Sequence, residues 1–119
     1  MLKLVNAFSF NMLQEDCDYV VPEVEKFSLE RAKKMLSKDN FESYIGHEDM
    51  AKVLSEMTGL KVESRRETLK IKEGDSLLVA QYSGPRLPEG ATKLPEGAKV
   101  LFYYVFIRGE EAYNGLHSI

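Results

Sequence analysis

The chain has 119 residues, 44% of them hydrophobic, with 16 Lys and Arg against 19 Asp and Glu and a net charge of −3. A chain of this length forms one domain, and folding hides roughly two-thirds of its extended surface, enough for a self-supporting core. The acidic balance excludes the broad basic track of a duplex DNA or RNA binder and leaves room for a focused anion pocket. One cysteine, Cys17, cannot form an internal disulfide, and with two histidines it supplies too few soft ligands for a structural zinc centre. The opening residues lack a signal peptide's layout, and no apolar run nears the ~20 residues of a membrane span. These features predict a soluble, cytoplasmic, single-domain protein over 1–119, with a loosely ordered tail from about residue 109.

Residues 2–7 suit a short buried strand, and Ser9 and Asn11 mark a turn or helix end within 8–13. Pro22 and the valines at 20, 21 and 24 make 19–27 extended. Ser28 is positioned to cap a helix whose inner face is Leu29, Ala32, Met35 and Leu36. Met50, Val53, Leu54 and Met57 mark a second helix, starting near Gly46 and His47 with Glu48 and Asp49 in its first turn, and ending at Gly59. Residues 68–71 and 77–82 read as strands joined through Glu73-Gly74-Asp75, and 100–107 as a strand covered on both faces. Between the last two lies a repeated unit, LPEGATK then LPEGAK, too short for a solenoid and suited to a rigid Pro/Gly connection. The expected fold is a single-domain α/β mixed sheet of about five strands flanked by helices.

The chemistry narrows by elimination. There is no Walker loop, dinucleotide fingerprint or GxSxG elbow. Cys17 sits between Asp16 and Asp18, which disfavour a thiolate, and the acidic residues form no metal-ligand pattern. His117 falls in the tail, whereas His47 follows Gly46 at the amino end of a helix, where outward-facing N–H groups and the dipole favour phosphate. His47 either caps that helix or serves such a site. Arg65-Arg66 opens one predicted strand, and Arg86 follows another. Both suit either solvent or the oxygens of an anion, and Gln81 either donates to a ligand or faces water.

Four stretches, LVNAFSFNML (4–13), YIGHEDMAKVLSEMTG (44–59), RRETLKIKEGD (65–75) and VAQYSGPRLPEG (79–90), together resemble the viral anti-CRISPR ring nucleases of type III systems and their cellular relatives. That family destroys the second messenger cyclic tetra-adenylate. The resemblance runs in order to Gly90, and the doubled LPEGA unit looks more like bacterial and phage members than archaeal-virus ones.

The resemblance implies a catalytic pair, His47 and Glu89, since Arg86 selects Glu89 over Glu96. It implies ligand contacts at Asn6, Ser9, Asn11, Gly46, Arg66, Gln81 and Arg86. It also implies a homodimer holding the ring across its two-fold axis and a reaction that uses no metal or cofactor. In this chemistry the ribose 2′-hydroxyl attacks and a histidine acts as general acid, while the glutamate either orients the histidine or assists the hydroxyl. A non-cleaving module that sequesters a cyclic oligonucleotide would need the arginines but not the proton donor. A small interaction protein would need neither.

Overall fold

The computed structural model describes residues 1–13, 21–72 and 74–108, with backbone alone at 21, 22, 107 and 108. Cys17 and its flanking aspartates, the start of the 19–27 segment, Glu73 and the 109–119 tail with His117 lie outside the described residues.

Five strands form one mixed sheet: β1 (Leu2–Val5), β2 (Val21–Phe27), β3 (Phe41–Tyr44), β4 (Ser76–Ser83) and β5 (Lys99–Arg108), in the order β2-β5-β4-β1-β3. β1 runs parallel to both neighbours, with Val5 level with Tyr44 and Val79, whereas β5 runs antiparallel to β4 and β2. The five-stranded mixed architecture is the expected one.

Two helices join it, α1 (Leu29–Lys38) and α2 (Glu48–Thr58). Ser28 caps α1 as its sequence predicts, its Oγ accepting from the Arg31 N–H at 3.1 Å. Gly59 ends α2 at φ 71°, a left-handed conformation that glycine adopts without the Cβ penalty. Both helices pack on the same face of the sheet. Ala32 and Leu36 of α1 and Met50, Ala51 and Leu54 of α2 bury against Leu2, Leu4, Leu78, Ala80 and Phe102. The opposite face, bearing Val5, Leu77, Val79 and Val105, is covered by Leu69, Ile71, Phe8 and Met12.

That division corrects one expected strand. Residues 68–71 make no strand ladder. Leu69 and Ile71 are buried because they lie across the sheet's second face, and the Ile71 N–H donates to the Met12 carbonyl at 2.7 Å. Their alternating burial comes from covering a surface on one side, not from edge pairing. β5 is covered on both faces, although most of its described side chains are only half-buried. β3 carries little strand signal of its own, since Glu42 and Ser43 interrupt it, and it exists through its pairing with β1.

Candidate active site

Because β1, β3 and β4 are parallel, their carboxyl ends lie together at one end of the sheet, where open α/β sheets receive ligands. β1 leads into Asn6, Ala7 and a 3-10 turn, Phe10–Met12. β3 leads through Ile45 and Gly46 to His47, which opens α2. β4 contributes Gln81, and the loop after Ser83 brings back Arg86 and Leu87.

Two adjoining hollows result, with Asn6 lining both. One, of about 510 Å³, is lined by Asn6, His47, Gln81 and Arg86, with Met50, Tyr82 and Leu87 supplying its apolar part. The other, of about 430 Å³, includes Asn6, Ser9, Asn11, Gly46 and Arg66, joined by Tyr44, Arg65 and Glu67. Every site residue expected from the sequence reaches one of these hollows except Glu89, which lines neither.

His47 stands at the N-cap of α2 in extended backbone, φ −119° and ψ 123°, and its side chain makes no capping hydrogen bond. The imidazole is exposed and uncommitted to the helix, beside first-turn N–H groups that carry the positive end of the dipole. Glu48 and Asp49 oppose that field, but both have partners: Glu48 faces Lys52 at 3.9 Å, and Asp49 accepts from the Gly90 N–H at 3.3 Å. Gly46 has open space where a Cβ would stand, so internal packing does not demand glycine there.

The arginine doublet divides its work. Arg66 donates through Nε to the Gly46 carbonyl at 3.2 Å, leaving its terminal nitrogens as the part that can meet ligand oxygens. Arg65, in the wall of the same hollow, is instead committed to neighbours, lying 4.5 Å from the Tyr44 ring centre and 3.5 Å from a Glu42 oxygen. Glu42 also pairs with Lys3 at 2.5 Å, and Lys3 stands 5.6 Å from the same ring. The hydrogen bond from Lys3 holds the Glu42 carboxyl below its ordinary range, against the desolvation that pushes the other way. This cluster fixes Tyr44 in the wall of the second hollow. Sequence reasoning flagged the Arg65-Arg66 doublet as a candidate anion contact but missed Tyr44, whose place in the wall follows from its pairing beside Val5 at the end of β3.

The repeated LPEGA unit builds the same turn twice. Ala91 donates to the Pro88 carbonyl and Ala98 to that of Pro95, each at 3.0 Å, with Gly90 and Gly97 at φ 79° and 82°. A type II turn needs that positive φ at its third position. The two copies differ in placement, because only the first, containing Glu89, is bonded to α2, through Gly90 and Asp49. Gly84 starts this loop under a steric demand: a Cβ there would stand 2.8 Å from the Ala98 Cα.

Among the described residues no three His, Cys, Asp or Glu side chains gather to hold a metal ion, and no helix is long and apolar enough to cross a membrane.

The sequence profile of the STIV B116-like family matches residues 2–104. A solved structure, B116 of Sulfolobus turreted icosahedral virus, superposes with a TM-score of 0.68 at 28% identity, covering 88% of this chain and 97% of that one. The protein called "Uncharacterized protein 26" of Sulfolobus islandicus filamentous virus (isolate Iceland/Hveragerdi) is 30% identical over 78 residues. That match takes in 66% of this chain and 64% of the viral protein's length.

Proposed function

Given that the chain belongs to the STIV B116-like family, we propose that it is a metal-independent ring nuclease that opens cyclic tetra-adenylate and so switches off type III CRISPR signalling. The observation that carries this reading is the meeting of His47, Asn6, Gln81 and Arg86 in one hollow at the carboxyl ends of parallel strands. A polyanion needs fixed positive groups, and the start of α2, Arg66 and Arg86 supply them in an otherwise acidic chain.

RNA brings its own nucleophile. The ribose 2′-oxygen attacks the adjacent phosphorus while the bond to the 5′-oxygen breaks, and the protein's main task is to hold the three atoms in line. Arg66, Arg86 and first-turn N–H groups of α2 stabilise the charge that builds on the phosphorane oxygens. His47 gives a proton to the departing 5′-oxygen, which leaves a 5′-hydroxyl on one side and a 2′,3′-cyclic phosphate on the other. Imidazole suits the task because its ordinary titration lies nearest neutrality. Glu89, on the turn bonded to α2, either accepts the proton that the attacking 2′-hydroxyl loses or orients the imidazole while that proton passes to solvent water.

The working unit in this reading is a homodimer. A ring of four phosphates spans more than one subunit's hollows, and two copies double the arginines and helix ends that meet it. The site of action is the cytoplasm where the messenger is made, the host's if a virus encodes the protein.

The test is incubation of labelled cyclic tetra-adenylate with wild type, His47→Ala and Glu89→Ala in excess EDTA, resolving bound, cut and uncut material. Cutting by wild type that survives EDTA and is lost in His47→Ala is the expected result. Cutting abolished by EDTA, or undiminished in His47→Ala, overturns it. Tight binding without cutting assigns the chain instead to sequestration.

A further inference from the structure

Phe10 is anomalous for a phenylalanine. Phe is among the residues most often buried, yet this residue is 80% exposed, and every other aromatic side chain among the described residues is at least half-buried. A single exposed apolar side chain needs no explanation by itself. Three further observations set this one apart.

The first is position. Its two sequence neighbours, Ser9 and Asn11, both line the hollow that contains Gly46 and Arg66, so the backbone of Phe10 passes beside that hollow although the ring is not part of its wall. The second is rigidity. The 3-10 turn that bears Phe10 is capped by Ser9, whose Oγ accepts from the Asn11 N–H, and the Leu13 N–H donates to the Phe10 carbonyl at 3.1 Å. Further ties run from Lys70 to the Asn11 carbonyl at 2.8 Å and from Ile71 to Met12. Phe8, packed against the core, braces the ring in a T-shaped contact at 5.9 Å and 80°. The third is scarcity of alternatives. Tyr44, in the same hollow, already has Arg65 and Lys3 near its ring, and Tyr82 is half-buried against the core, with its hydroxyl donating to the Pro85 carbonyl.

A ligand with purine bases gains little from arginines alone, since these answer only its phosphates. A flat, pre-positioned apolar ring beside the phosphate-binding groups is what a base needs, and holding it still beforehand lowers the entropy lost on binding. We propose that Phe10 is the base-stacking residue of this site, taking one adenine face of the bound oligonucleotide. This rests on the cyclic oligoadenylate reading above and adds to it the element that recognises the base.

The chain contains no tryptophan, so Phe10→Trp places a unique fluorophore at the stacking position. Binding of uncut cyclic tetra-adenylate is measured by calorimetry on full-length His47→Ala protein bearing Phe10, Phe10→Ala, Phe10→Leu or Phe10→Trp. Sedimentation of each variant gives its oligomeric state.

The expected result is a loss of about 5- to 150-fold in affinity for Phe10→Ala, the range that removal of one stacked base contact produces. Phe10→Leu stays weak because it keeps the apolar bulk without the ring. Phe10→Trp binds as the parent does, with emission quenched in step with the calorimetric isotherm. Unchanged affinity in Phe10→Ala, or unquenched tryptophan while calorimetry records binding, overturns the stacking role and leaves the site reading intact. Affinity loss accompanied by a change in oligomeric state also overturns it, assigning Phe10 to a subunit contact. Failure of both wild type and the His47→Ala parent to bind the ring defeats the site reading, and the stacking role falls with it.

Discussion

The Gly90 N–H donates to the Asp49 carboxylate across 3.3 Å, joining the turn that contains Glu89 to the first turn of the helix that starts at His47. The two residues of the implied catalytic pair are thus held by neighbouring pieces of backbone, although they are separated by some forty positions in sequence. Replacing Asp49 by Ala removes the acceptor, whereas Asn retains one. Amide exchange at Gly90 should quicken in Asp49→Ala and stay slow in Asp49→Asn, with global stability moved by no more than about 1 kcal/mol because the bond is exposed. Equal exchange rates at Gly90 in wild type and Asp49→Ala would mean the bond does not persist in solution.

Gly46 and Gly84 make a contrasting pair. Gly46→Ala meets no neighbour within 4 Å and should fold with wild-type stability, yet it puts a methyl group where the second hollow opens. Its expected phenotype is weakened binding of cyclic tetra-adenylate with an unchanged unfolding midpoint. Gly84→Ala drives a Cβ to 2.8 Å from the Ala98 backbone at φ 146°, so it should lower the midpoint directly. Chemical denaturation of both variants, alongside a binding titration for Gly46→Ala, checks the pair. A destabilised Gly46→Ala would contradict the open space at that position.

His47 contributes no side-chain bond to its helix, so His47→Ala should leave stability nearly untouched while abolishing ring opening. His47→Ser goes further. Serine supplies the capping oxygen that the imidazole does not, and should raise stability by about 0.5–1 kcal/mol while the protein is equally inactive. Improved stability with lost activity is the signature of a residue kept for chemistry, and thermal melts read beside the cleavage assay will detect it. A His47→Ala variant that melts well below wild type would make the residue structural.

Glu42 sets an acid limit. Its folded-state carboxyl titrates below the ordinary value of 4.5, chiefly through the hydrogen bond from Lys3. A depressed pKa stabilises the fold fully above the unfolded value, and that contribution is lost as the pH falls from 4.5 through the lowered folded value. Glu42→Gln should therefore flatten the stability profile across that acid window and leave its shape near neutrality unchanged. Urea unfolding of both proteins over the same pH series provides the comparison, and parallel acid profiles would rule out the linkage.

Leu54 is fully buried between α2 and the sheet, in the helix whose first residue follows His47. Leu54→Ala should cost about 2–5 kcal/mol, the usual range for a leucine-sized cavity. Below its melting transition the variant should still bind ligand, since Leu54 lines neither hollow. A cost under about 1 kcal/mol would mean that α2 is not anchored as described.

Local order was legible in the sequence where a few neighbouring residues decide it. Ser28 and Gly59 mark their helix ends through hydrogen-bonding and conformational preferences that need no distant partner, and the apolar spacing of both helices follows from the helical repeat. The apolar run of β5 and the Pro-Glu-Gly turns are of the same kind, as is the 3-10 turn capped by Ser9. His47 could be singled out because a histidine after glycine at a helix start is chemically unusual. Its companions in the hollow, Asn6, Gln81 and Arg86, were named by the resemblance and not by local spacing.

Tertiary structure decided what depends on partners far along the chain. Residues 41–44 become a strand because β1 offers its edge, while the more strand-like 68–71 lies across a face, where Leu69 and Ile71 bury against Val5, Leu77 and Val79. The parallel pairing of β1, β3 and β4 assembles Asn6, His47 and Gln81 at one end of the sheet, and the folded loops send Arg65 to Glu42 but Arg66 to Gly46. Capping, turn and helical preferences act over a few bonds and are written in short windows of sequence. Strand pairing and charge pairing are satisfied by whichever distant group the fold brings near, so only the assembled chain could choose them.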